Sequence, residues 1–238
     1  LFVHGLREED FAHVAAVGGL RTLFVWRLES RDLQGLSELS QLESLGVYHA
    51  SKLKSFAGLQ SLRSLRHIHF HHIPNVRSLA ALGGLTNLEE IVLEKTWATN
   101  KPLSFESLQP IRKLDRLTCL DLRGVEIADG SLAPIASLPA IHQLFPCTYA
   151  FDIHELAFLA AKLNHQLARE DRLHPTVKPK GDDQLGLCKE CATSQHQLVG
   201  KVGRKYRLLA CPRCDQGLIA ERSAIFDAMK PNLSTRSR

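Results

Sequence analysis

Four of the six cysteines stand in two pairs, Cys188-Lys-Glu-Cys191 and Cys211-Pro-Arg-Cys214, with 19 residues between them. A C-x-x-C step turns the chain tightly enough to present two thiolates together. Two such steps complete a closed tetrahedral site for structural zinc. Two disulfides are the competing reading. The twin C-x-x-C spacing weighs against them, as does an N-terminus without the basic, apolar and small-residue order of a signal peptide. A second set is His67, His69 and His71, which a strand would place on one face, with His72 beside them. Histidines two apart on a strand can share a metal, but no carboxylate or cysteine completes a ligand set within the same stretch. The stripe therefore reads as polar and titratable, tuning binding near about pH 6–7. Cys119 meets His142 or His154 only by assumed geometry, and nothing assembles a nucleophile, a base and an orienting acid, so no enzymatic activity is expected. Cys119 and Cys147 are expected to remain thiols.

Between the two cysteine pairs, Leu198 and Val199 precede Gly200 and Gly203, and then Tyr206, Leu208 and Ala210 alternate with other residues, several of them basic. That pattern predicts a β-hairpin between two cysteine turns. The arrangement resembles a zinc ribbon over residues 188–220, which implies a zinc-stabilised module at 185–220. Ribbons often place Gly directly after the second cysteine of a pair; Ala192 and Asp215 stand there instead. Lys189, Lys201, Arg204, Lys205, Arg207 and Arg213 decorate the module around Tyr206. Basic side chains with an aromatic among them suit phosphate contact and base stacking on DNA or RNA, and equally suit docking to an acidic protein; both readings stay open.

The elements that must carry these groups come from a repeat. One template fits six times: five apolar residues three apart, then a sixth two places on. Its copies begin at Phe11, Leu33, Phe56, Leu79, Leu108 and Leu132, and they end at Val25, Val47, Phe70, Leu93, Leu122 and Pro146. Only Pro146 departs from the apolar rule. Copies start 22, 23, 23, 29 and 24 residues apart, and Leu1 and Val3 sit 22 before Leu23 and Val25, so the chain is expected to open inside a further repeat. Leu20-x-x-Leu23-x-Val25 and its successors resemble the leucine-rich repeat family over residues 1–150. The resemblance implies an α/β solenoid: a horseshoe with a parallel concave sheet, whose period-three return segments have helical or 3₁₀ character. Gly18, Gly19, Gly58, Gly83 and Gly84 fall in those return segments. The family's Asn after the strand is replaced by Leu28, Ala50, Ile73, Thr96, Val125 and Tyr149, so the backbone at that turn must be satisfied otherwise. The longest interval carries an insertion around Lys95–Ser104 with Trp97 and Pro102, either a functional loop or a tolerated one.

Residues beside the inward pair of each strand face the partner side. Phe24, Trp26 and Tyr48 make an aromatic end, His69 and His71 a histidine middle, and Glu94, Asp121 and Arg123 a charged far end. Trp and Tyr dominate binding hot spots, so this face is expected to bind a protein partner. Asp152-Ile-His-Glu155 reads as a capping box opening a helix over about 153–170 that covers the solenoid's end, giving a first domain of 1–171. Residues 172–184, with Pro175, Pro179 and Gly181, read as a linker, and 221–238 as a short helix and mobile tail.

Composition agrees with two objects. Of 40 leucines, 33 lie in residues 1–175, where 18 Lys and Arg face 19 Asp and Glu; residues 176–238 hold 12 basic against 6 acidic residues. No apolar run approaches the roughly eighteen residues of a membrane span. The expectation is a cytoplasmic, non-enzymatic adaptor, with a nucleic-acid-associated protein as the alternative.

Overall fold

Side chains three apart cannot share one side of a strand, and a Leu-x-Leu pair cannot share one side of a helix. Each repeat must therefore change conformation midway. In the computed structural model, residues 1–95, 101–177, 187–201 and 208–230 are described. The chain divides into two compact units, Leu1–Cys147 and Thr148–Arg238.

The first unit is an α/β solenoid. Its strands are β1 (Phe2–Leu6), β2 (Thr22–Leu28), β3 (Ser44–Tyr48), β4 (His67–His71), β5 (Glu90–Glu94), β6 (Leu103–Phe105), β7 (Cys119–Asp121), β8 (Val125–Ile127) and β9 (Gln143–Phe145). Seven of them form one sheet in the order β1-β2-β3-β4-β5-β7-β9, and every described pair is parallel. The register aligns the template slots: Leu23, Leu45, Ile68, Ile91, Leu120 and Leu144 pair in a row. Val3 pairs with Val25, so β1 extends the aligned rows by one more strand. Return segments are short helices: α1 (Phe11–Ala15), α2 (Ala133–Ala136), and 3₁₀ turns at Gln34–Leu36, Leu59–Ser61, Ala80–Leu82 and Gln109–Lys113. Their leucines meet the inward strand residues in a continuous core, with Phe56 and Phe70 in ring contact at 4.5 Å.

The missing Asn is replaced by a backbone device. Gly5, Arg27, His49, His72 and Gly124 each adopt positive φ at the end of their strand or just past it. The next residue, Leu6, Leu28, Ala50, Ile73 or Val125, is then buried where the amide would stand. Turn amides instead bond carbonyls of the neighbouring repeat: Glu29 N to Leu6 O at 2.8 Å, Ala50 N to His72 O at 3.1 Å, and His72 N to Glu94 O at 3.1 Å. The insertion's second half becomes β6, paired in parallel with β8; Trp97 lies outside the described residues.

The second unit holds α3 (Ile153–Leu163), a three-stranded antiparallel sheet of β10 (Thr176–Val177), β11 (His196–Leu198) and β12 (Leu208–Ala210), and α4 (Gln216–Met229). Asp152 caps α3, its carboxylate accepting from His154 N at 2.8 Å, which is the Asp152 half of the expected box. Three expectations need correction. First, α3 stops at Leu163, because the Asn164 side chain both donates to and accepts from the Leu173 backbone and turns the chain back; contacts group the helix with α4 rather than with the repeats. Second, residues 172–177 are not a linker: Leu173 is buried and Thr176–Val177 adds a strand to β11. Third, the last helix starts at Gln216, directly after the second cysteine turn. The basic tail 231–238 lies outside the described residues.

Candidate functional site

The outward side chains of β1–β4 stack on one another across the strands. Phe2 stacks on Phe24 at 5.1 Å, Phe24 meets Tyr48 at 4.6 Å, Trp26 stacks on Tyr48 at 5.8 Å, and Tyr48 stacks on His71 at 4.2 Å. Register alone would set Phe24 beside Gly46, not Tyr48. Gly46 makes the diagonal contact possible, since a Cβ there would lie 2.9 Å from the Phe24 ring. The rings face each other along the ladder, so what they offer a partner is their edges, with the Trp26 side 39% and Phe2 63% exposed. Phe2 was not among the expected residues, although its 22-residue offset from Phe24 marks it. His49 adds an edge-on contact to Trp26 at 4.8 Å.

Carboxylates of β5 and of the residue before it lie beside the histidine middle. His69 Nε2 lies 3.1 Å from Glu90 Oε1, out of line for a hydrogen bond, and His71 Nδ1 lies 3.4 Å from Glu94. His67 sits between Ser44 Oγ at 3.1 Å and Glu89 at 3.9 Å, and Glu89 is shared with Arg66 at 2.5 Å. Burial lowers the His71 pKa below its ordinary value, with Glu94 opposing. Burial, then Glu94, raises the Tyr48 phenol. Among the described residues the only candidate metal cluster is the four-cysteine one, so the histidines bring together no third ligand. Glu89 and Glu90 escaped sequence reasoning because their relation to the histidines exists only across strands.

At the far end the expected contact Asp121 is only 4% exposed. Arg123 folds back on it, with Nε at 2.9 Å and Nη2 at 2.5 Å from Oδ2, and its guanidinium lies 5.6 Å from the Phe145 ring centroid. Asp121 therefore holds Arg123 in place, and Arg123 is the side chain that reaches solvent. No disulfide joins Cys119 and Cys147.

Cys188, Cys191, Cys211 and Cys214 converge, with all four sulfurs within 4.8 Å of one another. Cys191 and Cys211 are 3.4 Å apart, Cys191 and Cys214 3.5 Å, and Cys188 and Cys214 3.8 Å. Zinc bonded to four thiolates at about 2.3 Å spaces them by roughly 3.8 Å, so the donor set fits that ion in number, type and spacing. The Thr193 hydroxyl and amide pull the Cys191 thiol down to about 6, while the neighbouring thiols push Cys214 up to about 12. Such a cluster sheds all its protons only when a cation replaces them.

Both departures from the ribbon pattern have a structural answer. Ala192 adopts φ +56, the conformation glycine would relieve, and its amide bonds Cys188 O at 2.9 Å. Asp215 accepts from Cys211 N at 2.7 Å and starts α4, a role glycine cannot fill. Left-handed backbone costs an L residue about 1–2 kcal/mol, and most for a β-branched one. Ala192→Gly should therefore match or exceed the native thermal midpoint and Ala192→Val should fall below both; equal midpoints for Val and Gly would count against the strained turn.

Of the basic set, Lys189, Lys201 and Arg213 are exposed; Arg204, Lys205, Tyr206 and Arg207 lie outside the described residues. No helix among the described residues is long and apolar enough to cross a membrane.

No family model matches the chain. No curated protein matches it. Among solved structures it is similar to an internalin of Listeria monocytogenes (18% identity, TM-score 0.47, covering 60% of this chain and 38% of that one). It is similar to internalin C2 of the same organism (21%, 0.39, 51% and 49%). A leucine-rich repeat protein of Leptospira interrogans is also similar (16%, 0.45, 62% and 40%). The chain thus spans less than half the length of each. Its own parallel strand register and short helical return turns are those of an α/β repeat solenoid.

Proposed function

We propose that this protein is a non-enzymatic interaction adaptor. Its repeat sheet binds a protein partner through the aromatic ladder and the charged groups beside it, and a zinc-holding four-cysteine module supplies a second contact. The observation that carries this reading is the ladder itself: Phe2, Phe24, Trp26, Tyr48 and His71 form one continuous stack on the outward sheet face. Aromatic anchors held rigid by their neighbours lose little conformational freedom on binding, which is what hot spots require. Trp26→Ala/Tyr48→Ala should abolish recovery of at least one partner in quantitative capture. Lys54→Ala, at an exposed position outside the strands, should recover it fully. Equal recovery of every protein by wild type and the double variant would discard the aromatic face as the binding surface.

A further inference from the structure

The ladder does not end on an inert ring. Its last member, His71, is stacked face to face on Tyr48 at 4.2 Å and an 11° interplanar angle, with Glu94 on its other side at 3.4 Å. Histidine is the side chain whose ordinary titration falls within the physiological range.

We propose that partner binding on this face is proton-linked through His71: the face binds with His71 neutral and releases its partner on acidification. This rests on the reading of the sheet face as the partner surface.

The groups around His71 set the sign. From β3 it meets Tyr48, with His49 beyond; from its own strand and turn, His69 and His72; from β5, Glu94 and then Glu90; from further along the sheet, the Asp121–Arg123 pair. In the uncovered protein burial already disfavours the charged imidazole more than Glu94 favours it. A partner lying across Tyr48 and His71 removes more water from the ring and strengthens that penalty. The same pairing gives the partner's chemistry. Among the described residues Glu90 and Glu94 are ion-paired only with histidines, and Arg123, a cation that also acts on Glu94, is held by Asp121. With neutral imidazoles the rung is therefore anionic and favours a cationic side chain beside the partner's apolar anchor. Protonating His71 neutralises Glu94 and removes that attraction. Both effects weaken binding in the same direction.

For one histidine that must be neutral in the complex, affinity at pH 5.5 should be roughly three- to tenfold weaker than at pH 7.5. His71→Phe keeps a stacking ring but cannot titrate, so the ratio of partner recovery between the two pH values should collapse towards one. Recovery by wild type that is equal at both pH values overturns the proposal, as does a ratio that His71→Phe leaves intact. A partner lost with Trp26→Ala/Tyr48→Ala but insensitive to pH sinks the proton linkage alone, whereas absence of any ladder-dependent partner at pH 7.5 sinks the reading of the face and the linkage with it. A second measurement needs no partner. In histidine NMR of the whole chain, the resonance assigned to His71 by its loss in His71→Phe should titrate, and Glu94→Gln should move its midpoint to lower pH. An unmoved midpoint removes Glu94 from the switch.

Discussion

A chelator that strips the proposed zinc from the four cysteines should unfold the second unit and leave the repeats standing. Beyond α3 and the turns flanking it, the described part of this unit has few buried apolar side chains, among them Leu198, Val199, Ala210 and Phe226. A core that small does not offset the ordering of its backbone. Metal binding in small fingers contributes on the order of 10–16 kcal/mol, enough to decide whether the module folds. Cys211→Ser, at a fully buried position, should reproduce the chelated state. The informative place to look is α3. Read as part of a repeat domain ending at 171, it would keep its amide protection on chelation. The structure puts it in the unit that also holds the cysteines and α4; Gly200 N bonds Thr148 O at 2.7 Å, Lys201 N bonds Phe151 O at 2.7 Å, and Gly200 lies against Ile153. Hydrogen exchange should therefore show Ile153–Leu163 losing protection together with β11 and β12, while β2–β5 remain protected. One melting transition for the whole chain, or an α3 that stays protected, would reject this division.

The same helix marks where sequence reasoning stops. Each repeat strand was readable because a period of three changing to two leaves no other conformation that buries Leu23 and Val25 with Leu20. The Asp152 cap was readable because it is a local side chain-to-backbone contact. What α3 packs on is not local, and no periodicity encodes it. Likewise β10 is two residues long and owes its existence to its partner β11, so it looked like linker. The start of α4 was hidden by Gly217 and by a weakly patterned face on which only Phe226 is buried. At the sheet face the residue types were legible and their relations were not. Gly46 gave no sign that it lets Phe24 reach Tyr48, and the carboxylate on each histidine became visible only once β4 and β5 were in register. The burial of Asp121 was not legible because the alternation rule assigns a side and cannot foresee that Arg123 will cover it.

The largest single-residue effect in the repeats is expected from Gly58→Ala, and it also separates glycines that sequence grouped together. Gly18, Gly58 and Gly83 all lie in return segments, yet a Cβ at Gly18 would meet nothing within 4 Å and one at Gly83 would stop 3.0 Å from the Pro110 carbonyl oxygen, whereas Gly58 meets backbone far closer. Gly58 adopts φ +105, and a Cβ there would sit 2.2 Å from the Leu33 carbonyl oxygen and 2.6 Å from Gln34 N. The approach is fixed by the neighbouring bond from Leu33 N to Ala57 O at 2.9 Å, which ties consecutive repeats. A methyl group must therefore push two repeats apart besides straining its own backbone, and a loss of about 3 kcal/mol or more is expected. Gly130→Ala supplies the control for strain alone, with φ +68 and nothing within 4 Å of the added carbon; about 1 kcal/mol is expected there. Gly18→Ala has open space and no positive φ, so it should be neutral or gain a few tenths through the stiffer unfolded chain. Urea midpoints should fall in the order Gly18→Ala, Gly130→Ala, Gly58→Ala. Because stacked repeats share stability with their neighbours, the loss at Gly58 should spread as weakened protection into β3 and β4 before it reaches β9. A Gly58→Ala midpoint no lower than that of Gly130→Ala would mean that strain, and not the contact between repeats, is all this glycine relieves.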